Sequence, residues 1–186
     1  MTVIVTDYDP HRRHRFELLR SWIWPAISDV AISVEHVGST SVEGLPAKPV
    51  IAMTIVVVGG RELAGVIRAL AAIGYVNRGD LGVTGREASI PPPSVQEILP
   101  THHLYACVQG SLALRNHLAA RDRLRRDRAA ATAYGQLKKE LASHFVSDID
   151  AYVDGKTEFI LALLKDDGFD VSELDEVNAI NSLPRE

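Results

Sequence analysis

The chain has 186 residues, of which 46% are hydrophobic and 24% charged, a composition that fits one globular domain with a substantial core. Its formal net charge of -4 argues against a protein built for nonspecific binding to duplex nucleic acid, because such proteins carry a clear basic excess. The single cysteine, Cys107, excludes an internal disulfide and multi-thiolate zinc sites, and its apolar neighbours predict a buried, inert thiol.

The amino-terminal region predicts a helix and no membrane segment. Residues 2–5 are a short β-branched run that favours an edge strand, and Asp9-Pro10 is typical of the start of a helix, here one running to about Trp24. Charged residues interrupt this region, so it does not have the pattern of a signal peptide. The longest apolar run, residues 50–58, is too short to cross a bilayer. These features indicate a cytoplasmic protein with no membrane partner.

The most informative segment is a strand, a small-residue turn and a second strand. Residues 30–37 and 50–58 predict adjacent strands, and the turn between them begins Gly38-Ser39-Thr40-Ser41. A glycine-serine turn lets backbone N–H groups approach a phosphate closely, and Lys48 adds a positive charge nearby. Such a turn is also common in ordinary loops, and an exposed surface position explains Lys48 equally well. The order of elements favours a phosphate-binding turn.

The rest of the chain alternates between β and α patterns and then becomes helical. Residues 62–73 predict an amphipathic helix that Gly74 ends, residues 79–85 a glycine-rich turn, and residues 91–93 an exposed, extended proline segment. A strand is expected at residues 104–108, and helices at 112–128, 129–145 and 150–165. We therefore expect an α+β domain over residues 1–165, with a mixed sheet, helices packed on one face and a helical C-terminal half. Residues 166–186 form an acidic tail. The sequence is compatible both with a tail that folds back onto the domain and with a mobile one.

Longer motifs resemble one protein family. The segment EHVGSTSVEGLPAKPVI, residues 35–51, is similar to the signature of the GrpB family. Further similar blocks follow the chain order and together span nearly everything from residue 7 to residue 164. They are YDP at 8–10, GYVNRGDLGVTGR at 74–86, THHLYACV at 101–108, residues 117–145, and AYVDGKTEFILALL at 151–164. The resemblance implies a nucleotidyltransferase-like fold.

Two positions depart from the family pattern. Family members typically carry Asp where this chain has Ala52, and His where it has Tyr105. In nucleotidyltransferases, acids on the strand after the Gly-Ser turn hold magnesium, and the resemblance implies that this chain lacks such a ligand. Natural loss of the ligand and an engineered replacement both explain Ala52. Glu35 is the only acid nearby, so magnesium is expected, if at all, only together with a bound nucleotide.

Two segments supply the candidate catalytic residues. In a strand, His103 and Tyr105 share one face while His102 takes the other, and the resemblance implies that the His103 face lines the pocket. His103 is a candidate general acid or base, because imidazole titrates near neutral pH; a role as a polar lining residue fits equally well. Glu35 and His36 point to opposite faces, so only one of them can reach the pocket. Glu35 is the second catalytic candidate.

Basic residues within the family-like blocks are further ligand candidates. The resemblance implies phosphate contacts for Arg86, Arg121, Lys138 and Lys156, while Arg123, Arg126 and Arg128 fit a solvated surface stripe better. The predicted ligand-binding set is Gly38, Ser39, Thr40, Lys48, Arg86, Tyr105, Arg121, Lys138 and Lys156.

Two function classes follow. The first is a protein that binds a nucleotide or another phosphate-bearing small molecule but is impaired in nucleotidyl transfer, because Ala52 replaces the expected metal ligand. The second is a non-catalytic interaction protein that docks a partner through its helical, Arg-rich half. Neither a GxxxxGKS/T phosphate loop nor a Rossmann GxGxxG pattern is present in the sequence.

Overall fold

The structure, a computed structural model that describes residues 2–182, is organised around a five-stranded mixed sheet. The strands lie in the order β1-β2-β5-β4-β3. β1 is antiparallel to β2, β2 is parallel to β5, and β4 is antiparallel to both β5 and β3. The prediction of adjacent strands on either side of the Gly-Ser turn is therefore confirmed. The strands are β1 Ser33–Val37, β2 Ile51–Val57, β3 Val76–Gly79, β4 Arg86–Ile90 and β5 His102–Val108.

Seven α-helices lie within residues 2–182. No helix in this part of the chain is long and apolar enough to cross a membrane. Asp127 separates α4 from α5, because its side chain accepts a hydrogen bond from the Ala130 N–H and so caps α5. The helices are α1 Arg12–Ile27, α2 Gly60–Ala72, α3 Pro93–Gln96, α4 Leu112–Arg126, α5 Arg128–His144, α6 Ile149–Asp166 and α7 Val171–Asn181.

Three local predictions need correction. Residues 2–5 do not join the sheet: the Val3 N–H bonds to the Val146 carbonyl, and Thr6 forms an isolated bridge with Ala47. The proline segment is not simply exposed and extended, because Pro91 is buried and Pro93 begins α3. Helix α1 continues past Trp24, since a proline in the last turn removes only one backbone donor. Contacts with residues distant in sequence outweighed the local pattern at residues 2–5. At the end of α1, the helix tolerates a proline that the local pattern treats as a stop.

The main core lies between one face of the sheet and helices α1 and α2. Alternate residues of the central strands, including Met53 and Ile55, are fully buried there against Leu19 and Ile23 of α1. Burying such a side chain contributes about 1.5–3 kcal/mol, so this layer anchors the sheet.

The C-terminal helical half covers part of the opposite face. Helix α4 crosses it, and its Ala113 and Leu114 pack against Val56 and Cys107. Cys107 is fully buried, so the burial predicted from sequence is confirmed, and this burial raises the pKa of its thiol to about 12. Helix α7 packs on α6 through a small apolar cluster. That cluster comprises Leu164, Phe169 and Val177. The sequence alone did not decide whether this segment, after residue 166, folds back onto the domain.

Candidate functional site

The Gly-Ser turn has a backbone conformation that only glycine adopts easily. Gly38 has φ +67° and ψ -173°, and a short 3₁₀ helix, Ser39–Ser41, follows it. The Ser41 hydroxyl donates to the Gly38 carbonyl at 2.6 Å, which holds the turn closed. A Cβ added at Gly38 would lie 3.4 Å from the Cβ of Ala52, so the turn sits directly against β2. The turn and the position of the expected metal ligand therefore form one surface.

Four side chains on β2 and β5 form a square beside this turn. Ala52 pairs with His103, and Thr54 pairs with Tyr105, so all four lie on the same face of the sheet. The rings of His103 and Tyr105 are 6.4 Å apart. Desolvation, together with the charge of Lys48, lowers the pKa of His103. The imidazole is neutral at pH 7 because its pKa is lowered, and it is accessible because the side chain is exposed to solvent.

Two lysines from distant parts of the chain meet beside this square. The ammonium of Lys156 lies 4.4 Å from the ring centroid of Tyr152, and that of Lys48 lies 6.0 Å from the same centroid. Ser39 lies close to Tyr134 of α5, because its side chain is near enough to affect the pKa of the Tyr134 hydroxyl. We name the group comprising Ser39, Lys48, Ala52, His103, Tyr152 and Lys156 the turn site. Of the predicted residues, the structure brings Gly38, Ser39, Lys48, His103 and Lys156 together here.

Lys138 lies beneath the turn site. Only 2% of its surface is exposed, its amino group donates a hydrogen bond to the Pro46 carbonyl, and that group lies 4.6 Å from the ring centroid of Tyr134. Burial, followed by the charge of Lys156, lowers the pKa of Lys138 to about 6. Lys138 therefore supports the segment that carries Lys48, and its amino group does not reach the surface of the site.

Glu35 and Arg121 form an ion pair within the protein. Arg121 donates to a Glu35 carboxylate oxygen at 2.9 Å, and Ser33 donates to the other oxygen at 2.9 Å. Burial alone would raise the pKa of Glu35, but these hydrogen bonds outweigh it and lower the pKa. Burial likewise opposes the charge of Arg121, while its bonds to Asp122 and Glu35 raise its pKa. Glu35 is thus a paired carboxylate on the same face as Thr54, away from the Gly38 turn.

Thr40 and His36 face the other side of the sheet. Their side chains are 3.1 Å apart, and the His36 ring stacks on Phe16 of α1 with ring centroids at 4.6 Å. Burial, with a contribution from nearby arginines, lowers the pKa of His36 to about 4. Thr40 therefore fixes the turn from behind and is not part of the turn site.

The remaining predicted residues lie at the far end of the square. The guanidinium carbon of Arg86 lies 4.8 Å from the ring centroid of Tyr105. Two residues that the sequence analysis missed are here: His117 of α4 lies 3.0 Å from the hydroxyl of Thr54 and 5.6 Å from the ring centroid of Tyr105. Burial lowers the pKa of His117 to about 4, so the ring is neutral. The place of Thr54 on this face could have been predicted from the sequence, because Thr54 is two residues from Ala52 on the same strand.

The residues present do not fit a magnesium site. The positions facing the turn carry Ala52, Thr54, His103 and Tyr105, which include no carboxylate, and Glu35 is held by Arg121 and Ser33. Within residues 2–182, no cluster of three or more His, Cys, Asp or Glu side chains could hold a metal ion. Magnesium prefers oxygen ligands in near-octahedral geometry, and this surface offers too few.

A separate basic groove of about 1070 Å³ lies between α1, residues 40–46, α4 and α5. Glu35, Thr40 and Arg121 line it, together with Arg13 and Arg128 on its rim. Neither Lys48 nor His103 lines it, so this groove and the turn site are different places.

The family model for GrpB protein matches residues 2–166. The chain belongs to the GrpB family. A relative, UPF0157 protein YqkA of Bacillus subtilis, is 35% identical over 129 residues, which are 69% of this chain. The match covers only 36% of YqkA, so this chain corresponds to about a third of that protein.

Two solved structures resemble this GrpB chain. The crystal structure of conserved protein GrpB from Enterococcus faecalis has 33% sequence identity and a TM-score of 0.75, covering 93% of this chain and 98% of that one. The Cid1 poly(U) polymerase with MgGTP bound has 12% identity and a TM-score of 0.50, covering 75% of this chain and 44% of that one. At such low identity, the second likeness shows the fold alone. The nucleotidyltransferase-like α+β fold expected from the sequence is confirmed.

Proposed function

We propose that this GrpB protein binds a nucleotide, or another phosphate-bearing small molecule, at the turn site. The observation that carries the proposal is the convergence of Ser39, Lys48, His103 and Lys156, which come from three segments of the chain, the β1–β2 connection, β5 and α6. Folding has placed a phosphate-type turn, two ammonium groups and an accessible imidazole side by side. This combination suits an anionic ligand better than it suits a neutral one.

Each group of residues would have a different role in binding the ligand. Gly38 and Ser39 would present backbone N–H groups and a hydroxyl to a phosphate, and no side chain at Gly38 would block the approach. The ring of Tyr152 holds Lys48 and Lys156 near the turn through cation–π contacts. The neutral imidazole of His103 would exchange hydrogen bonds with the ligand rather than carry charge.

Nucleotidyl transfer is expected to be weak or absent. In the superfamily, metal-bound carboxylates activate the attacking hydroxyl and neutralise the leaving phosphates. The four sheet positions beside the turn offer no carboxylate, and Glu35 on the same face is held by Arg121 and Ser33, so we derive no step through a metal. Nucleotide affinity should accordingly depend little on magnesium.

Calorimetry with the four ribonucleoside triphosphates, with and without magnesium, tests this proposal. Lys156→Gln should weaken binding by about tenfold, because a charge-assisted hydrogen bond is lost. Lys165→Gln is the matched control, since Lys165 is an exposed lysine more than two turns further along α6. Absence of binding at millimolar nucleotide, with no effect of Ser39→Ala, would remove the proposal.

The basic groove favours a second candidate function, docking of an acidic segment of a partner protein. Burial, followed by the charge of Arg121, lowers the pKa of Arg125; the charges of Asp122 and Glu35 oppose this shift, and the charge of Arg13 adds to it. Within residues 2–182, neither the Arg13 nor the Arg128 guanidinium forms a hydrogen bond or an ion pair, although the Arg128 carbonyl accepts a hydrogen bond from Thr132. An incoming carboxylate would relieve this repulsion.

Pull-down of partners from cells tests the second candidate. The double variant Arg13→Glu, Arg128→Glu should release a partner held in the groove, whereas Arg68→Glu on α2, outside the groove, should retain it. Arg121 is unsuitable for this test, because its removal would leave Glu35 without its partner. Retention of every partner by the double variant would reject the second candidate.

A further inference from the structure

A small cavity lies at the opposite end of the sheet face from the Gly-Ser turn. Its volume is about 190 Å³, and β4, α4 and α7 enclose it. Arg86, Asn116, His117 and Asn181 supply its polar atoms, and apolar side chains of α4 and α7 supply much of the rest. Ligand pockets for drug-sized molecules usually measure about 300–1000 Å³, so this cavity suits a smaller molecule or one group of a larger one.

Arg86 has a buried donor with no acceptor. Its Nε atom is inaccessible to solvent and is the one buried side-chain nitrogen or oxygen in the described part of the chain without a hydrogen-bond partner. Buried donors are nearly always satisfied, because leaving one unpaired costs about 1–3 kcal/mol. An unsatisfied guanidinium donor at a cavity therefore points to an acceptor supplied from outside the chain.

The charge of Arg86 also lacks compensation. Its Nη2 donates to the backbone carbonyl of Asp80 at 3.3 Å, and its guanidinium stacks over Tyr105, but no ion pair within residues 2–182 involves it. No carboxylate lines the cavity. His117 is neutral there, and the charge of Arg86 contributes to the low pKa of that imidazole. The cavity is therefore positive as well as short of an acceptor.

One wall of the cavity is supplied by α7, which follows the part of the chain that matches the family model. That match ends at residue 166, whereas Val177, Ile180 and Asn181 all line the cavity. Amide side chains on two different helices, Asn116 and Asn181, can each donate to an oxygen atom. The complete cavity is thus a property of this chain with its C-terminal helix in place.

We propose that this cavity binds a small oxyanion, a carboxylate or phosphate group, with Arg86 as the charged anchor and the two asparagine amides as additional donors. The guanidinium fork matches either oxyanion in a bidentate manner. The group would be either a free small anion or one end of a larger ligand that continues over Tyr105. The proposal does not depend on nucleotide binding at the turn site.

Titration of the full chain with inorganic phosphate, acetate and ATP in separate arms tests the proposal and distinguishes the two sources. Arg86→Gln should weaken binding of the responsive probe by about tenfold or more, because its charged anchor is lost. Ile180→Trp, which fills the cavity from α7 and keeps Arg86, should do the same. Arg68→Gln removes an equivalent charge from the surface of α2 and should have no effect.

Each outcome has a defined meaning. A loss of phosphate or acetate binding in both cavity variants supports a site for a free anion, and a loss confined to ATP supports a site for one group of a nucleotide. Equal binding by the parent and by Ile180→Trp in all three arms would overturn the proposal. Should Arg86→Gln fail to fold, Ile180→Trp still decides. Failure of the turn-site proposal would appear separately, as unaltered ATP binding in Lys156→Gln.

Discussion

Restoring an acid at position 52 tests the geometry of the turn site most directly. Ala52 pairs with His103 on the neighbouring parallel strand, and adjacent strands lie about 4.8 Å apart. An aspartate at position 52 would therefore place its carboxylate roughly 5.5 Å from the imidazole. Two unit charges at that separation attract by about 3 kcal/mol at an effective dielectric constant of 20 and by about 0.8 kcal/mol in water. Because His103 is exposed, the lower value applies, and its pKa should rise by about 0.5–1.

The measurement is an NMR titration of the His103 ring proton in the parent and in Ala52→Asp. Ala52→Asn is the matched control, since it has nearly the same shape without the charge and should leave the His103 titration unchanged. The exposed His144, on α5, provides an internal reference in each sample. No rise in the Asp variant, or an equal rise in the Asn variant, would refute the shared position of residues 52 and 103 at one site.

The same variant tests the loss of the metal ligand. A single carboxylate rarely holds magnesium without substrate phosphates, so Ala52→Asp should bind the ion appreciably only when a nucleotide is present. Calorimetry should show magnesium-dependent nucleotide binding in the Asp variant and not in the parent. Robust nucleotidyl transfer by the parent, assayed with labelled nucleotides, would show that the chemistry does not depend on position 52.

Three further substitutions probe the surroundings of the site. Between about pH 6 and the ordinary lysine pKa of 10.5, the unfolded chain binds a proton at Lys138 that the folded protein does not, so stability rises with pH. Denaturant unfolding at pH 7 and 9.5 should show a gain of roughly 3 kcal/mol in the parent that is absent in Lys138→Met. The same change in unfolding free energy in both proteins would contradict the low pKa of the buried amino group. The pKa of His36 is about 4 in the folded protein and 6.5 ordinarily, so its contribution is present above pH 6.5 and lost towards pH 4. Acid unfolding of His36→Gln should lack this component, roughly 3 kcal/mol, and an unchanged acid profile would count against it. Gly38→Ala should lower the free energy of unfolding by about 1–3 kcal/mol because of the backbone conformation, whereas Gly60→Ala, in open space on α2, should raise it slightly. Equal effects at the two glycines in thermal unfolding would show that the turn is not strained.

The position of the basic residues could not be read from the sequence. Lys138 and Lys156 occur in similar helical blocks, yet one is buried under the turn and the other lies beside Tyr152. Arg121 shares a helix with other arginines but is the one that reaches Glu35, 86 residues away along the chain. These differences depend on how α4, α5 and α6 dock against the sheet, and local patterns carry no information about that docking.

The sequence by itself determined the features that depend on neighbouring residues. The β1–turn–β2 unit was predictable because two apolar runs flank small residues, and strands that follow one another in the chain usually lie side by side in the sheet. The burial of Cys107 followed from its apolar strand. Strand alternation also separated Glu35 from His36 correctly, because successive side chains must point to opposite faces.

Only the tertiary structure decided which residues meet. The insertion of β5 between β2 and β4 placed His103 beside Ala52 and Tyr105 beside Thr54. The docking of α7 enclosed Arg86 in a cavity that no local pattern indicates. Contacts of this kind join segments far apart in the chain, and they are selected by the packing of the whole core rather than by any short stretch of sequence.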